Sequence, residues 1–337
     1  MNQLNDGGAA AGPLGHSVCV FAPAATAAFG AAIGAALGVP LSAHEEQVFD
    51  GGEQVMRPLV EVRGRSVYFI QSLFSDALGS ANDRLCSMLF FIGALKDAGA
   101  RRVTACVPYL AYARQDRHTE TRDPVTTRYV AQLFEAVGVD RVVALEVHNP
   151  AAFDNAFRCE TVHVDAAPLF VDHFARGAAG HEYAVATPDI GGAERARHFH
   201  LLLQNALGRP VNFAFMDKQR SRGLLSGTVF AGDVAGRRVI IVDDLISSGA
   251  TVRRAVDACR RAGAARVEVA ATHASFGPEA ARLFDAAEPA SDRPDGVVVT
   301  DSVAIRRSSP FPSNGSLTVL SVASSFAETI QRLEQDC

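Results

Sequence analysis

Short apolar runs recur along the chain, separated by longer stretches whose apolar positions repeat at helical spacing. The runs predict strands at Val18–Ala22, Arg102–Val107, Arg141–Val147, Val239–Val242 and Arg266–Ala271; the spaced stretches predict helices at Asn82–Lys96, Thr126–Val137 and Val252–Ala262. One phrase punctuates this pattern: Ala98-Gly99-Ala100-Arg101-Arg102-Val103, then Ala136-Val137-Gly138-Val139-Asp140-Arg141-Val142, then Ala262-Gly263-Ala264-Ala265-Arg266-Val267. Each time a helix ends at a glycine suited to close it, and an apolar strand follows within a few residues. Alternation of this kind predicts parallel sheets with helices on both faces. A single sheet holding every unit would be large, and a similar layout recurs in each half, so two α/β domains are expected. The reading assigns residues 1–16 to a mobile tail, 17–165 to a first domain and 166–337 to a second. The last helix, Ser324–Leu333, is placed to pack back on the first domain, and Pro289–Asp295 and Ser308–Ser316 read as connections.

Charge and cysteine usage narrow the class. A formal net charge of −5 without a dense Lys/Arg cluster argues against a nucleic-acid surface, so phosphate ligands must be held locally or through a metal. The six cysteines form no C-x-x-C pair and read as small core residues in a reducing compartment, which speaks against zinc. Ser17 to Ala43 carries no Asp, Glu, Lys or Arg, but Pro23, Gly30, Gly34, Gly38 and Pro40 interrupt it and no basic segment precedes it. Neither a membrane span nor a signal peptide fits, and a strand, a small-residue helix around Ala24–Leu37 and a second short strand are expected instead.

The most informative chemistry lies in Val239-Ile240-Ile241-Val242-Asp243-Asp244-Leu245-Ile246-Ser247-Ser248-Gly249-Ala250-Thr251. An apolar strand delivers two adjacent carboxylates into a small, hydroxyl-rich turn that opens a helix. Backbone N–H groups of such a turn suit a phosphate monoester, Ser247, Ser248 and Thr251 add hydroxyl donors, and Asp243 and Asp244 can accept from ribose hydroxyls. A plain chain reversal is the other reading of the turn alone. The repelling acidic pair is what favours a ligand, because side-by-side carboxylates are tolerated most readily where something uses them.

Further clusters accompany it. Arg114, Gln115, Asp116 and Arg117 follow a core strand, where a guanidinium can stack on a purine and its neighbours can bond a base or ribose; a solvated charged loop is the alternative. His148 closes a strand, as a crevice residue or a structural hydrogen-bonder. Asp189 enters a Gly191-Gly192 turn that suits a diphosphate, its carboxylate suiting Mg²⁺. Asp217-Lys218-Gln219-Arg220-Ser221-Arg222-Gly223 reads as a loop of three cations, able to close over a polyphosphate or to remain solvated surface.

The ordered series Phe49-Asp50-Gly51-Gly52-Glu53, Val62-Arg63-Gly64 with Ile70-Gln71-Ser72, Asn82-Asp83, Tyr112 to Arg117, His148, Pro188-Asp189-x-Gly191-Gly192, Lys218-x-Arg220, Val242-Asp243-Asp244, Thr272-His273 with Gly277-Pro278, and Val299-Thr300 resembles the ribose-phosphate diphosphokinase family, also called phosphoribosyl pyrophosphate synthetases. The resemblance runs from about Val18 to Leu333. It implies two phosphoribosyltransferase-like domains, each a mostly parallel sheet flanked by helices. It implies transfer of the β,γ-diphosphate of ATP to the 1-hydroxyl of ribose 5-phosphate with Mg²⁺, giving phosphoribosyl pyrophosphate and AMP. Phe49, Gly51, Gly52, Glu53, Arg114, Gln115 and Asp116 would bind ATP; Asp243, Asp244, Ser247, Ser248, Gly249, Ala250 and Thr251, with Arg220, would bind ribose 5-phosphate. His148 and Asp189 would be metal residues, and Lys218 and Arg220 would carry catalysis. The resemblance further implies a cytoplasmic homo-oligomer, a dimer or hexamer with the ATP site shared between subunits, and no nucleic-acid or membrane partner.

The chain departs from that pattern at Ser247-Ser248, where Asp-Thr is usual, at Glu146, where an Asp is usual, at Gly51 and through Asn149–Phe157. It also ends at Cys337 without the family's usual tail, so ADP inhibition is not expected. A non-catalytic relative and a phosphoribosyltransferase are the competing readings; retention of Lys218, Arg220, His148 and Asp189 opposes the first, and the Arg114–Arg117 segment opposes the second.

Overall fold

The computed structural model describes residues 17–178, 180–221, 224–305 and 316–335, with backbone only for 217–221 and 224–229. The expected tail 1–16, and the Ser308–Ser316 connection apart from Ser316, lie outside these residues. The chain divides into two compact units, one of residues up to Val164 together with Ala323 onward, the other Asp165–Val322.

The first unit comprises β1 (Val18–Phe21), α1 (Ala27–Leu37), β2 (His44–Val48), β3 (Gln54–Pro58), β4 (Ser66–Ile70), α2 (Ala81–Asp97), β5 (Arg102–Val107), α3 (Thr126–Ala136), β6 (Arg141–Leu145), α4 (Pro150–Ala156) and β7 (Glu160–Val164). The second comprises α5 (Ala167–Ala175), β8 (Tyr183–Thr187), α6 (Ala193–Leu207), β9 (Asn212–Ser221), β10 (Leu224–Ala231), β11 (Arg238–Ile246), α7 (Ala250–Arg261), β12 (Arg266–Ala274), β13 (Gly296–Thr300) and β14 (Leu317–Leu320), after which α8 (Ala323–Gln335) returns to the first unit.

In the first unit β1-β4-β5-β6-β7 form a wholly parallel sheet, and β2 and β3 make a separate antiparallel ribbon. Every residue of β1, β4 and β6 is buried, which is why these strands read as unbroken apolar runs rather than alternating ones. Alternate side chains such as Phe69, Ala105 and Ala144 meet the apolar faces of α2, α3 and α4, around Phe91, Phe134 and Phe153. The opposite parity serves α1 and α8. Phe29 packs edge-to-face on Phe326 with ring centroids 5.8 Å apart, and Tyr68 donates its hydroxyl to Glu334 Oε1 at 2.8 Å. Close approach explains the small-residue helix: a Cβ on Gly30 would lie 2.3 Å from the Ala22 Cβ, and one on Gly34 would lie 2.5 Å from the Val39 carbonyl oxygen. No described helix is long and apolar enough to cross a membrane.

The three repeated phrases share one physical device. Gly99, Gly138 and Gly263 have φ of +86°, +84° and +87°, the left-handed conformation that ends a helix and that only glycine adopts without cost. Helix α2 begins on a capping box, with Asp83 N–H donating to Ser80 Oγ at 3.2 Å and Ser80 N–H to Asp83 Oδ2 at 2.8 Å.

The second sheet has the order β10-β9-β8-β11-β12-β13-β14, parallel except for the β9–β10 hairpin. Neighbours β8 and β11 send their crossovers in opposite directions: β8 leads through α6 to β9, while β11 leads through α7 to β12. A sheet splits open above such a pair, and ligands of open α/β sheets bind in the resulting crevice at the C-terminal strand ends. The Asp217–Gly223 stretch, expected as a loop, differs: through Ser221 its backbone continues β9, with Lys218 opposite Thr228 and Arg220 opposite Leu225. The hairpin ladder extends a strand that the cationic composition had hidden.

Candidate active site

The two segments that leave the crevice of the second sheet are the ones singled out by their carboxylates. Strand β11 runs on to Ile246, past the Val242 where the sequence pattern ended it, so Asp243 and Asp244 lie within its last turns of pleat rather than after it. Pairing with β8 stops at Ile241–Ala186, whereas pairing with β12 continues to Ile246–Ala274. The acidic pair is therefore held on one side by the ladder and open on the side of the switch point. Asp244 is buried, and its N–H donates to Asp243 Oδ1 at 2.9 Å.

The turn that follows is built around Gly249, which has φ +78° and on which a Cβ would approach Leu283 to 2.9 Å. Gly277 N–H donates to the Ser247 carbonyl at 3.0 Å, tying the turn to the segment after β12. Helix α7 then starts at Ala250, two residues earlier than its apolar spacing indicated, which brings its first N–H groups to the turn. The Arg253 guanidinium anchors the helix to Glu288 at 2.9 Å and Asp292 at 3.0 Å. Gly249→Ala imposes left-handed strain and a clash together, so a loss of about 1–2 kcal/mol in stability is expected. Thermal unfolding of the variant measures it.

Across the switch point, Asp189 follows β8 in an extended conformation and caps the turn into α6. Its Oδ1 accepts from Gly192 N–H at 3.2 Å, and Thr187 Oγ1 donates to its carbonyl at 2.7 Å. Gly192 is required because a Cβ there would come 2.9 Å from Thr187 Oγ1. Arg195, on the first turn of α6, brings its Nη2 to 3.9 Å from Asp244 Oδ2, both side chains largely buried. Enclosure pushes the Asp243 carboxyl above the ordinary carboxylate range, negative Asp244 pushes it further, and Arg195 pulls it back. Arg195 is the site residue that motif reading passed over. Its place one helical turn after Gly191-Gly192 was the available signal.

Apart from Lys218 and Arg220 on β9, the remaining candidates lie in the first unit. Phe49–Glu53 is the exposed tip of the β2–β3 ribbon, closed by Phe49 N–H to the Glu53 carbonyl at 2.9 Å and Gly52 N–H to the Phe49 carbonyl at 2.8 Å, with the Phe49 ring 44% exposed. The Arg114–Asp116 segment follows β5. Its Gln115 side chain accepts from the Thr126 hydroxyl, and Asp116 Oδ2 accepts from Asn149 Nδ2 at 2.8 Å, joining this loop to the β6 end that carries His148. Among the described residues no hydrogen bond or ion pair joins the Phe49 hairpin to the Arg114–Asp116 loop. The side chains of Lys218 and Arg220 lie outside the described residues.

Nor do three or more His, Cys, Asp or Glu side chains gather as a metal cage among the described residues. The donor set suits Mg²⁺ nonetheless, since that ion uses one or two protein carboxylates and completes its shell with water and substrate phosphates. Asp189, which caps the Gly191-Gly192 turn into α6, is a carboxylate of that kind.

Comparison with known proteins decides the affiliation. A family model described as the N-terminal domain of ribose phosphate pyrophosphokinase matches residues 18–138, and a phosphoribosyl transferase domain model matches 162–292. The chain belongs to the ribose phosphate pyrophosphokinase family. Relatives of that name from Parasynechococcus marenigrum and Haemophilus influenzae are each 35% identical over 86% of this chain, covering 82% and 87% of their own lengths. The crystal structure of phosphoribosylpyrophosphate synthetase from Mycobacterium smegmatis superposes with a TM-score of 0.82 at 31% identity, over 95% of this chain and all of that one. Membership makes this chain a transferase of diphosphate groups, with the two-domain phosphoribosyltransferase-like α/β fold that the resemblance implied.

Proposed function

We propose that this chain transfers the β,γ-diphosphate of ATP to the 1-hydroxyl of ribose 5-phosphate, releasing 5-phosphoribosyl 1-pyrophosphate and AMP, with Mg²⁺ as its cofactor. The observation that carries the reading is the crevice between β8 and β11, where two carboxylates, a hydroxyl-bearing turn and a helix N-terminus converge. In this reading Ser247, Ser248, Gly249, Ala250 and Thr251 hold the 5-phosphate through hydroxyls and backbone N–H groups, and Asp243 and Asp244 accept from the ring hydroxyls. That grip fixes the orientation of the 1-hydroxyl, which supplies much of the rate in a reaction that asks little covalent chemistry of the protein.

Phe49, Gly51, Gly52, Glu53, Arg114, Gln115 and Asp116 hold the nucleotide. Asp189 in the second unit and His148 in the first are each, taken separately, candidate metal residues, and a Mg²⁺ ion, when bound, would neutralise phosphate charge and polarise the β-phosphorus. A bond forms from the ribose O1 to the β-phosphorus as the bond to the α,β-bridging oxygen breaks. AMP leaves with the electron pair, and the hydroxyl proton is released. Lys218 and Arg220 neutralise charge developing on the transferred group. The exposed Phe49 hairpin and the Arg114 loop belong to a nucleotide site shared between subunits of a homo-oligomer, a dimer or hexamer, working in the cytoplasm.

One assay tests the reading: purified protein with ATP, Mg²⁺ and ribose 5-phosphate, followed for AMP and phosphoribosyl pyrophosphate. Both products are expected in equal amounts. Folded protein that binds ATP but forms no AMP would mean a non-catalytic relative, and consumption of phosphoribosyl pyrophosphate with a free base would mean a phosphoribosyltransferase.

A further inference from the structure

His148 leaves the first sheet through an unusual turn. Pairing of β6 with β7 reaches Leu145–Val164, and one more bond, Glu146 N–H to the Val164 carbonyl at 3.0 Å, completes the ladder. Glu146 then adopts φ +40°, a left-handed conformation that a residue with a β-carbon holds only when its surroundings impose it. The next amide, Val147 N–H, has left the ladder and belongs to a residue only 3% exposed. It donates to Nε2 of His163 at 3.2 Å, from a ring on β7 whose backbone stands opposite Ala144. Accepting at Nε2 requires a neutral imidazole with its proton on Nδ1.

We propose that His163 is a positioning residue: its ring takes the Val147 amide released by the turn at Glu146 and so fixes the direction in which His148 leaves the sheet. Two features argue for this over a generic packing role. The bond lands on the residue immediately before His148, so any slack in it passes directly to the next Cα. It also acts where the backbone stores strain, and a strained turn persists only while its amides are satisfied. The Asn149 side chain secures the other flank, accepting from Ala152 N–H at 3.2 Å while donating to Asp116, so His148 sits between two side-chain clamps. The functional consequence rests on the proposed role of His148 toward a phosphate-borne metal.

The experiment compares His163→Leu, which cannot accept, with His163→Gln, whose Oε1 can reach the Nε2 position. In ligand-free protein selectively ¹³C-labelled at histidine, the His148 imidazole resonance, assigned by its loss in His148→Ala, is expected to move in His163→Leu and return in His163→Gln. Binding of Mn²⁺ with a non-hydrolysable ATP analogue, read by electron paramagnetic resonance, is expected to weaken roughly tenfold in the Leu variant and recover in the Gln variant, as for partners that orient metal ligands. Affinity for ribose 5-phosphate should not change. An unmoved His148 resonance, or Gln no better than Leu, overturns the positioning role. If the resonance moves but His148→Ala itself binds Mn²⁺ and nucleotide normally, the metal role of His148 is overturned and the positioning stands. Should the Leu variant not fold, His163→Asn replaces it, its shorter amide falling short of Val147; Asn equal to Gln then overturns the proposal.

Discussion

Replacing Asp243 with Asn is expected to make the protein harder to unfold at neutral pH while lowering kcat/KM for ribose 5-phosphate by roughly a hundredfold, the scale of losing charge-assisted hydrogen bonds. Both effects come from the same carboxyl. Its native pKa is raised by enclosure and by the adjacent Asp244, against a partial offset from Arg195. A raised native value means the folded state holds the proton more tightly than the unfolded chain, so ionising Asp243 costs the folded state more. Stability is therefore greater at low pH and falls as pH rises from the ordinary carboxylate range through the raised native value. Asn carries no charge and escapes that cost. The unfolding midpoint of the variant should exceed that of the parent at pH 7 and converge on it toward pH 4. Scanning calorimetry across that range, beside initial rates with varied ribose 5-phosphate, measures the two effects together. A variant less stable than its parent at pH 7 would show that the acidic pair is not under strain. The proton also competes with the ligand: ribose 5-phosphate affinity should rise with pH through the same window, because only the ionised carboxyl accepts from two hydroxyls.

The strained pair was legible in the sequence because its warning was local, two carboxylates abutting an apolar run. So were the helix-closing glycines and the parallel alternation, since each depends on neighbours in the chain. What escaped was set across the sheet. Strand β2, His44–Val48, is mostly polar and half-exposed, so nothing in its hydrophobic pattern announces the ribbon that carries Phe49 to Glu53. Arg195 matters because α6 returns beside β11, a consequence of strand order that no window of sequence contains. His163 reads as a polar residue on a strand; its meaning comes from the neighbouring strand ending at Leu145, two residues before the Val147 amide it accepts from. The end of β11 was misjudged for a related reason: Asp243 and Asp244 break the apolar run, but β12 still pairs with them.

Removal of the Lys218 ammonium is the change expected to cost most in rate. Lys218→Ala should lower kcat by roughly 10²–10³-fold, the range seen when one preorganised donor to a developing charge is deleted. KM for ATP and ribose 5-phosphate should change little, because a contact that strengthens only as charge builds on the transferring group contributes to the transition state and not to the ground state. The backbone supports such a part-time contact: Lys218 and Arg220 stand on β9, whose partner β10 is the outermost strand of the sheet, with a register irregularity between Leu225 and Gly227. Both residues lie beyond Phe215, where the β8–β9 ladder ends, so this end of the hairpin can shift while the pairing of β8 with β11 is kept. Arg220→Ala should produce a loss of the same order, and the double variant should fall well short of the product of the two, since cations neutralising one charge act as a unit. Steady-state kinetics on the three variants, with binding of each substrate measured separately, checks this. A loss confined to KM would assign Lys218 to substrate capture and leave the transferring group to be neutralised by other residues.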